Sequence, residues 1–265
     1  HALADEAVTE SRTEELAFWT GVLSAPDPLF GEVAYDPELD TVATVHEVEV
    51  TVPGDVTDAV LKAVPAAFRG GVNDGLLAAL ALAVARWREE QGRANSSLLL
   101  HLEGHGREES LVPGADLSRT VGWFTSAYPV RLDLDGVDLH DAFAAGSAAG
   151  AAVKAVKEQL LAVPDKGMGY GLLRYLNDRT APTLAALPGG QISFNYLGQS
   201  GAGEISDEIA ALGWQPTAEL GDLSAAGNDD MPANRAVDIN VVAVEGENGD
   251  TRLTGSFRFA SRLVT

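Results

Sequence analysis

Residues 98–108 read LLLHLEGHGRE, a short apolar run that ends in two carboxylates, a histidine and two glycines. The run predicts a buried strand leading into a tight turn, because apolar residues pack in a sheet while Gly104 and Gly106 permit backbone angles that a Cβ atom blocks. Glu103 then stands at the strand's exit. Strand ends are where a rigid sheet hands reactive groups to a cleft, so Glu103 is a candidate proton-transfer group. From this stretch alone an ordinary solvated acid at a strand end is the favoured reading, and the stretches around it have to decide.

Upstream, Leu76, Leu77, Leu80, Val84 and Trp87 give a broad apolar side to a helix that Asn73 or Asp74 can cap and that ends near Gly92. Helix, strand and turn in this order suit an α/β layer. Before it, residues 44–52 alternate as a half-exposed strand with Val48, Val50 and Val52 on one side, and residues 57–64 form a short helix stopped by Pro65. At the start of the chain Ser11 and Glu14 have capping-box spacing, and Leu16, Trp19, Val22 and Leu23 recur at helical intervals. The prolines of residues 25–40 make an extended connection.

Downstream, residues 119–129, RTVGWFTSAYP, have aromatic side chains and no clean period, as a loop packed on the body of the protein would. Residues 130–134 predict a strand, and residues 138–163 the longest helix, although Gly146 and Gly150 each cost about 1 kcal/mol relative to Ala. GMGYG at residues 167–171 follows a helix and a proline and lacks the GxGxxG spacing, so it reads as a turn before the helix of Leu172, Leu173 and Leu176, not as a nucleotide loop. Residues 191–197 alternate as a strand, which turns Asn195 and Tyr196 to opposite faces. Residues 200–234 form an irregular excursion, and residues 237–244 and 253–259 a hairpin with Asn248 and Gly249 at its turn.

With 265 residues and 46% apolar content the chain can bury a sizeable core. No run approaches the roughly 18 apolar residues of a membrane helix, and HALADEAV lacks the basic and apolar segments of a secretory signal, so no membrane association is expected. The absence of cysteine excludes disulfides, thiolate nucleophiles and cysteine-ligated metals and fits the cytoplasm. A formal charge of −21 argues against nucleic acid, which needs clustered Lys and Arg, and makes Arg86 and Arg88 conspicuous as contact points. The chain has no GxSxG elbow, no HExxH and no phosphate loop, and none of its five histidines has the spacing of a metal pair, so no metal site is expected. His105, between two glycines, reads as a loop-ordering hydrogen-bonder, and His46 and His101 receive no role.

EGHGRE at residues 103–108 resembles a signature of the epimerization domains of nonribosomal peptide synthetases, within the condensation-domain superfamily. Four more stretches match that family in the same order: NDGLLAAL (73–80), RTVGWFTSAYP (119–129), PDKGMGYG (164–171) and FNYLG (194–198). The resemblance implies one chloramphenicol-acetyltransferase-like α/β lobe, a mixed sheet covered by helices with crossover loops, spanning residues 1–265. It also implies inversion of the α-carbon, L to D, of an aminoacyl or peptidyl thioester held on the phosphopantetheine arm of a carrier protein, with no cofactor bound directly. In the family the glutamate of EGHGRE and the second histidine of HHxxxDG flank the α-carbon. Glu103 matches that glutamate, and Asn195 and Tyr196 match positions lining the site, so the three form the implied catalytic set. His105, Arg119, Trp123 and Tyr170 are the implied substrate-tunnel residues.

HHxxxDG is absent from this sequence. In the family it precedes the region where this chain begins, so the resemblance implies a C-terminal lobe with half a site. The implied partners are a peptidyl carrier protein, the N-terminal lobe and adjacent synthetase domains. Two other readings stand beside it: a non-catalytic carrier-docking or scaffold lobe, and a peptide-forming condensation lobe, although condensation domains generally lack EGHGRE at this position.

Overall fold

The computed structural model describes residues 1–93, 95–104, 106–112, 114–200, 228–245 and 250–264. In chain order its elements are α1 (Ala2–Ala7), α2 (Glu10–Glu14), α3 (Leu16–Ser24), β1 (Val45–Thr51), α4 (Gly54–Asp58), α5 (Val64–Phe68), α6 (Val72–Glu90), β2 (Ser97–Gly104) and β3 (Ser126–Asp133). They continue with α7 (Leu139–Phe143), α8 (Ser147–Leu161), α9 (Met168–Tyr175), α10 (Ala181–Ala185), β4 (Ile192–Ser200), β5 (Val237–Glu245) and β6 (Thr251–Ala260). The fold is α/β, with a mixed sheet of six strands. Contacts divide the chain into two units: His1–Leu29 with Ala59–Asn195, and Phe30–Asp58 with Tyr196–Thr265.

The first unit is built around β2. Leu98, Leu100 and Leu102 are buried on one face of the strand and Leu99 and His101 on the other, which is why the run is apolar without alternating. β3 runs antiparallel beside β2, and β4 pairs with it in parallel, Leu102 lying level with Phe194. Leu99 joins Trp19 and Leu23 of α3, Tyr170 and Leu173 of α9 and Leu184 of α10 in one cluster. Each such side chain contributes about 1.5–3 kcal/mol by leaving water.

Several local expectations change here. The N-terminal segment is three short helices, not one, and Thr9, not Ser11, caps α2 by accepting from the Arg12 N–H at 3.3 Å. Pro65 does not stop a helix: it lies in the first turn of α5, where a missing N–H costs nothing, behind a π-helical turn at Ala59–Ala63. α6 begins at Val72, so Asp74 acts from inside its first turn, accepting from the Gly71 N–H at 2.8 Å. β3 starts at Ser126, so the end of RTVGWFTSAYP is strand, and Pro129 is accommodated opposite His101. Residues 138–163 are two helices, because Ala145 takes a left-handed φ of 59° and Asp141 caps α8 through the Ala148 N–H at 2.8 Å. Arg88 is no surface contact point: it is 1% exposed and paired with Asp27 at 2.8 Å. Arg86 remains at the surface, paired along α6 with Glu89 and Glu90.

In the second unit β6 lies antiparallel to β5, as expected for the two strands of a hairpin, and also to β1, a pairing the sequence did not indicate. The expected turn at Asn248 and Gly249, and most of the expected excursion, lie outside the described residues. Ile239, Val241, Ala243 and Leu253 are buried, whereas Val48 and Val50 of β1 stay 50% and 46% exposed, so the valine face of β1 is open in this unit. Asp40 is fully buried and accepts from Arg262 Nε at 2.9 Å and from the Asp36 N–H at 2.8 Å. Burial pushes its carboxyl up, but the Arg262 and Asp36 hydrogen bonds outweigh that and hold it below the usual carboxylate range. A depressed folded value stabilises above the unfolded pKa of about 4 and is lost as pH falls through the folded one. Asp40→Asn is therefore expected to flatten the loss of urea resistance below about pH 4, measured as unfolding midpoints across that range.

Candidate active site

β2 carries Glu103 to its last residues, and β4 runs beside it in the same direction, so the two strands deliver their carboxyl-terminal ends to one place. In α/β sheets that end is where ligands bind. One residue past the Leu102–Phe194 pair, Asn195 Nδ2 donates to the Glu103 carboxylate at 2.9 Å, and both residues are half-buried. A hydrogen bond to a carboxylate is stronger than one between neutral groups, so Asn195 fixes the direction in which the acid points. Tyr196 follows on the opposite face of β4 and belongs to the second unit. Burial raises its phenol above the ordinary value, so at neutral pH it is an O–H donor and not a base.

The turn after Glu103 is held from two sides. Gly106 has a φ of +65°, and a Cβ there would lie 1.4 Å from the Phe124 carbonyl oxygen, so the backbone approach itself requires glycine. Arg107 donates to the carbonyls of Leu117 at 2.5 Å and Thr120 at 3.0 Å, and its guanidinium stands 4.3 Å over the Phe124 ring. Glu108 pairs with Lys166 at 3.1 Å. Lys166 belongs to a turn in which Asp165, Lys166 and Gly167 all take positive φ, and the Tyr128 ring occupies the space a Cβ on Gly167 would need. Arg12, 5% exposed, secures that turn through Asp165 at 2.9 Å. Burial, and secondarily the charge of Glu108, raises the Tyr128 phenol.

EGHGRE thus touches three of the other four matching stretches: FNYLG through Asn195, RTVGWFTSAYP through Phe124 and PDKGMGYG through Lys166. Among the expected tunnel residues, Arg119 is exposed and Trp123 is 90% exposed, both on the segment that Arg107 holds. Tyr170 is 7% exposed within the core cluster, edge-on to Trp19 at 5.5 Å and to His101 at 6.3 Å. His105 lies outside the described residues. Sequence reasoning gave no role to Arg107, Glu108 or Lys166, since their partners are backbone carbonyls and a side chain 58 residues away. Among the described residues no cluster of three His, Asp or Glu side chains is placed to hold a metal ion, and no single helix is long and apolar enough to cross a membrane.

Gly106→Ala is expected to displace the segment before β3 and to destabilise the first unit by at least about 1–2 kcal/mol, the cost of a left-handed residue with a Cβ. Urea unfolding together with hydrogen exchange at residues 117–124 measures both effects.

The chain belongs to the condensation-domain family, whose model matches residues 2–260. It is similar to the crystal structure of the epimerization domain from the third module of tyrocidine synthetase B, with 26% identity and a TM-score of 0.72, covering 100% of this chain and 53% of that one. It is 41% identical to a component protein of the linear gramicidin synthase of Brevibacillus parabrevis over 249 residues, 92% of this chain and 3% of that protein. With a component protein of the plipastatin synthase of Bacillus subtilis it shares 33% identity over 272 residues, 99% of this chain and 7% of the other. The chain therefore spans about half of the epimerization domain and a small part of each synthase protein. The chain is therefore part of a condensation-type domain, similar in sequence to segments of these peptide synthases.

Proposed function

We propose that this chain is the C-terminal part of an epimerization domain, which inverts the α-carbon of an aminoacyl or peptidyl thioester carried on phosphopantetheine. The observation that carries the reading is the Glu103–Asn195 pair at the paired ends of β2 and β4. The likeness to the tyrocidine synthetase epimerization domain supports it. A thioester α-hydrogen is weakly acidic, so its removal needs a positioned base, and inversion needs a proton returned from the other face. In this reading the Cα–H bond breaks, its proton passes to the Glu103 carboxylate, and the electron pair moves onto the thioester carbonyl as an enolate. A donor on the opposite face then protonates Cα, and for the reverse direction Glu103 gives the proton back. Asn195 holds the carboxylate's orientation through both halves. The partners are a peptidyl carrier protein, an upstream lobe bearing HHxxxDG and the neighbouring synthetase domains.

The test is washout of deuterium from the α-carbon of an aminoacyl carrier protein, with this chain alone and with the chain joined to an upstream lobe. Washout that requires the upstream lobe is the expected result. Peptide-bond formation without washout would replace the reading with a condensation lobe, and carrier binding with neither reaction would leave a docking lobe.

A further inference from the structure

The segment between EGHGRE and β3 is anchored in an unusual way. Two of its large side chains do not hold it down: Trp123 is 90% exposed and Val121 is fully exposed. What holds it is Arg107, whose planar fork takes the Leu117 and Thr120 carbonyls while its face covers Phe124. The Glu109 carboxylate adds a bond from the Leu117 N–H. Arg107 is itself tied to a fixed point, since Glu108 beside it is paired with Lys166 and Gly106 is seated on the Phe124 carbonyl. The other end of the segment enters β3 at Ser126, level with Gly104, and the next residue, Ala127, is level with Glu103. The segment thus leaves the turn just after Glu103 and returns to the strand beside it.

We infer that Arg107 is a positioning residue of the active site, setting the segment of Arg119 and Trp123 at a fixed place relative to the Glu103 carboxylate. The inference rests on the epimerase reading and extends it: EGHGRE supplies both the acid and the clamp that shapes the wall beside it. A fork of five donors reaches two carbonyls and a ring at once, and an ammonium cannot, so lysine is not an equivalent substitute.

The experiment uses the chain joined to an upstream lobe, with Arg107→Ala and Arg107→Lys compared to wild type by hydrogen exchange and by deuterium washout. In Arg107→Ala, amide exchange at residues 117–124 is expected to quicken while Leu98, Leu99 and Leu100 of β2 stay protected. Washout kcat is expected to fall by roughly 10- to 100-fold, as for a wall displaced by about 1 Å, with KM for the carrier protein changed less than about two-fold. Arg107→Lys should recover less than half of either effect. Unchanged exchange at residues 117–124, wild-type kcat despite a loosened segment, or full recovery by lysine would each overturn the inference. A wild type without washout would instead overturn the epimerase reading, and hydrogen exchange with the lysine comparison would then decide the clamp alone.

Discussion

Glu103→Gln, in the chain joined to an upstream lobe, is expected to lower α-deuterium washout by about 10²- to 10⁴-fold, the range for loss of a positioned acid–base group. Glutamine has nearly the same shape, and its carbonyl oxygen can still accept from Asn195 Nδ2, a bond of 2.9 Å in the native protein. The fold is therefore retained and only the proton acceptor is lost. A thermal midpoint within about 2 °C of wild type would separate this outcome from misfolding. Asn195→Ala tests the other partner: it keeps the carboxylate but frees its direction, and the loss of a hydrogen bond to a charged group, about 1.5–3 kcal/mol, corresponds to roughly 10- to 100-fold in rate. Washout unaffected by Glu103→Gln would remove the carboxylate from the mechanism while leaving the family membership intact.

Arg88→Ala is expected to cost about 3–5 kcal/mol of stability, the largest structural effect among the substitutions considered, because it leaves a buried charge without its partner. Arg88 is 1% exposed and holds Asp27 at 2.8 Å, the Ser97 carbonyl at 2.6 Å and Asn95 at 3.3 Å. Asp27 also accepts from the Leu99 N–H and from Gln191 Nε2, at 3.4 and 3.2 Å. One ion pair therefore joins the end of α6, the start of β2 and the residue before β4. With total stabilities of typically 5–15 kcal/mol, such a loss can unfold the unit near physiological temperature. Urea unfolding of Arg88→Ala, Asp27→Leu and the combined Arg88→Ala, Asp27→Leu chain distinguishes the causes. An uncompensated charge predicts that the combined variant is more stable than Arg88→Ala, whereas simple loss of packing predicts that it is not.

Much of this fold is legible in the residues themselves. The apolar run of β2, the alternation in β4, the paired strands β5 and β6 and the broad apolar side of α6 are each set by their immediate neighbours, and each forms where its pattern places it. What the patterns miss depends on distant partners. An arginine on an apolar helix looks the same whether it is solvated or buried, and the carboxylate that buries Arg88 lies 61 residues away. The break between α7 and α8 falls in an alanine-rich stretch with no local signal stronger than Gly146, and it is made by Asp141 reaching forward to Ala148. SAYP reads as loop because the stretch around it has no clean period, yet pairing with β2 makes it strand. In the candidate site, Glu103 stands out by its place at the end of an apolar run, whereas its pairing with Asn195 is visible only once β4 lies beside β2. Arg107 gave no signal, because the carbonyls it holds belong to every residue type alike.

Glu103 and Asn195 are 92 residues apart in the chain, and only strand pairing brings them together. During synthesis at about 5–20 residues per second, the ribosome releases the acid roughly 5–20 s before the amide that will orient it. Until β4 arrives, the Glu103 carboxylate lacks the amide that fixes its direction, so a prematurely terminated product would display the acid without its hydrogen-bond donor.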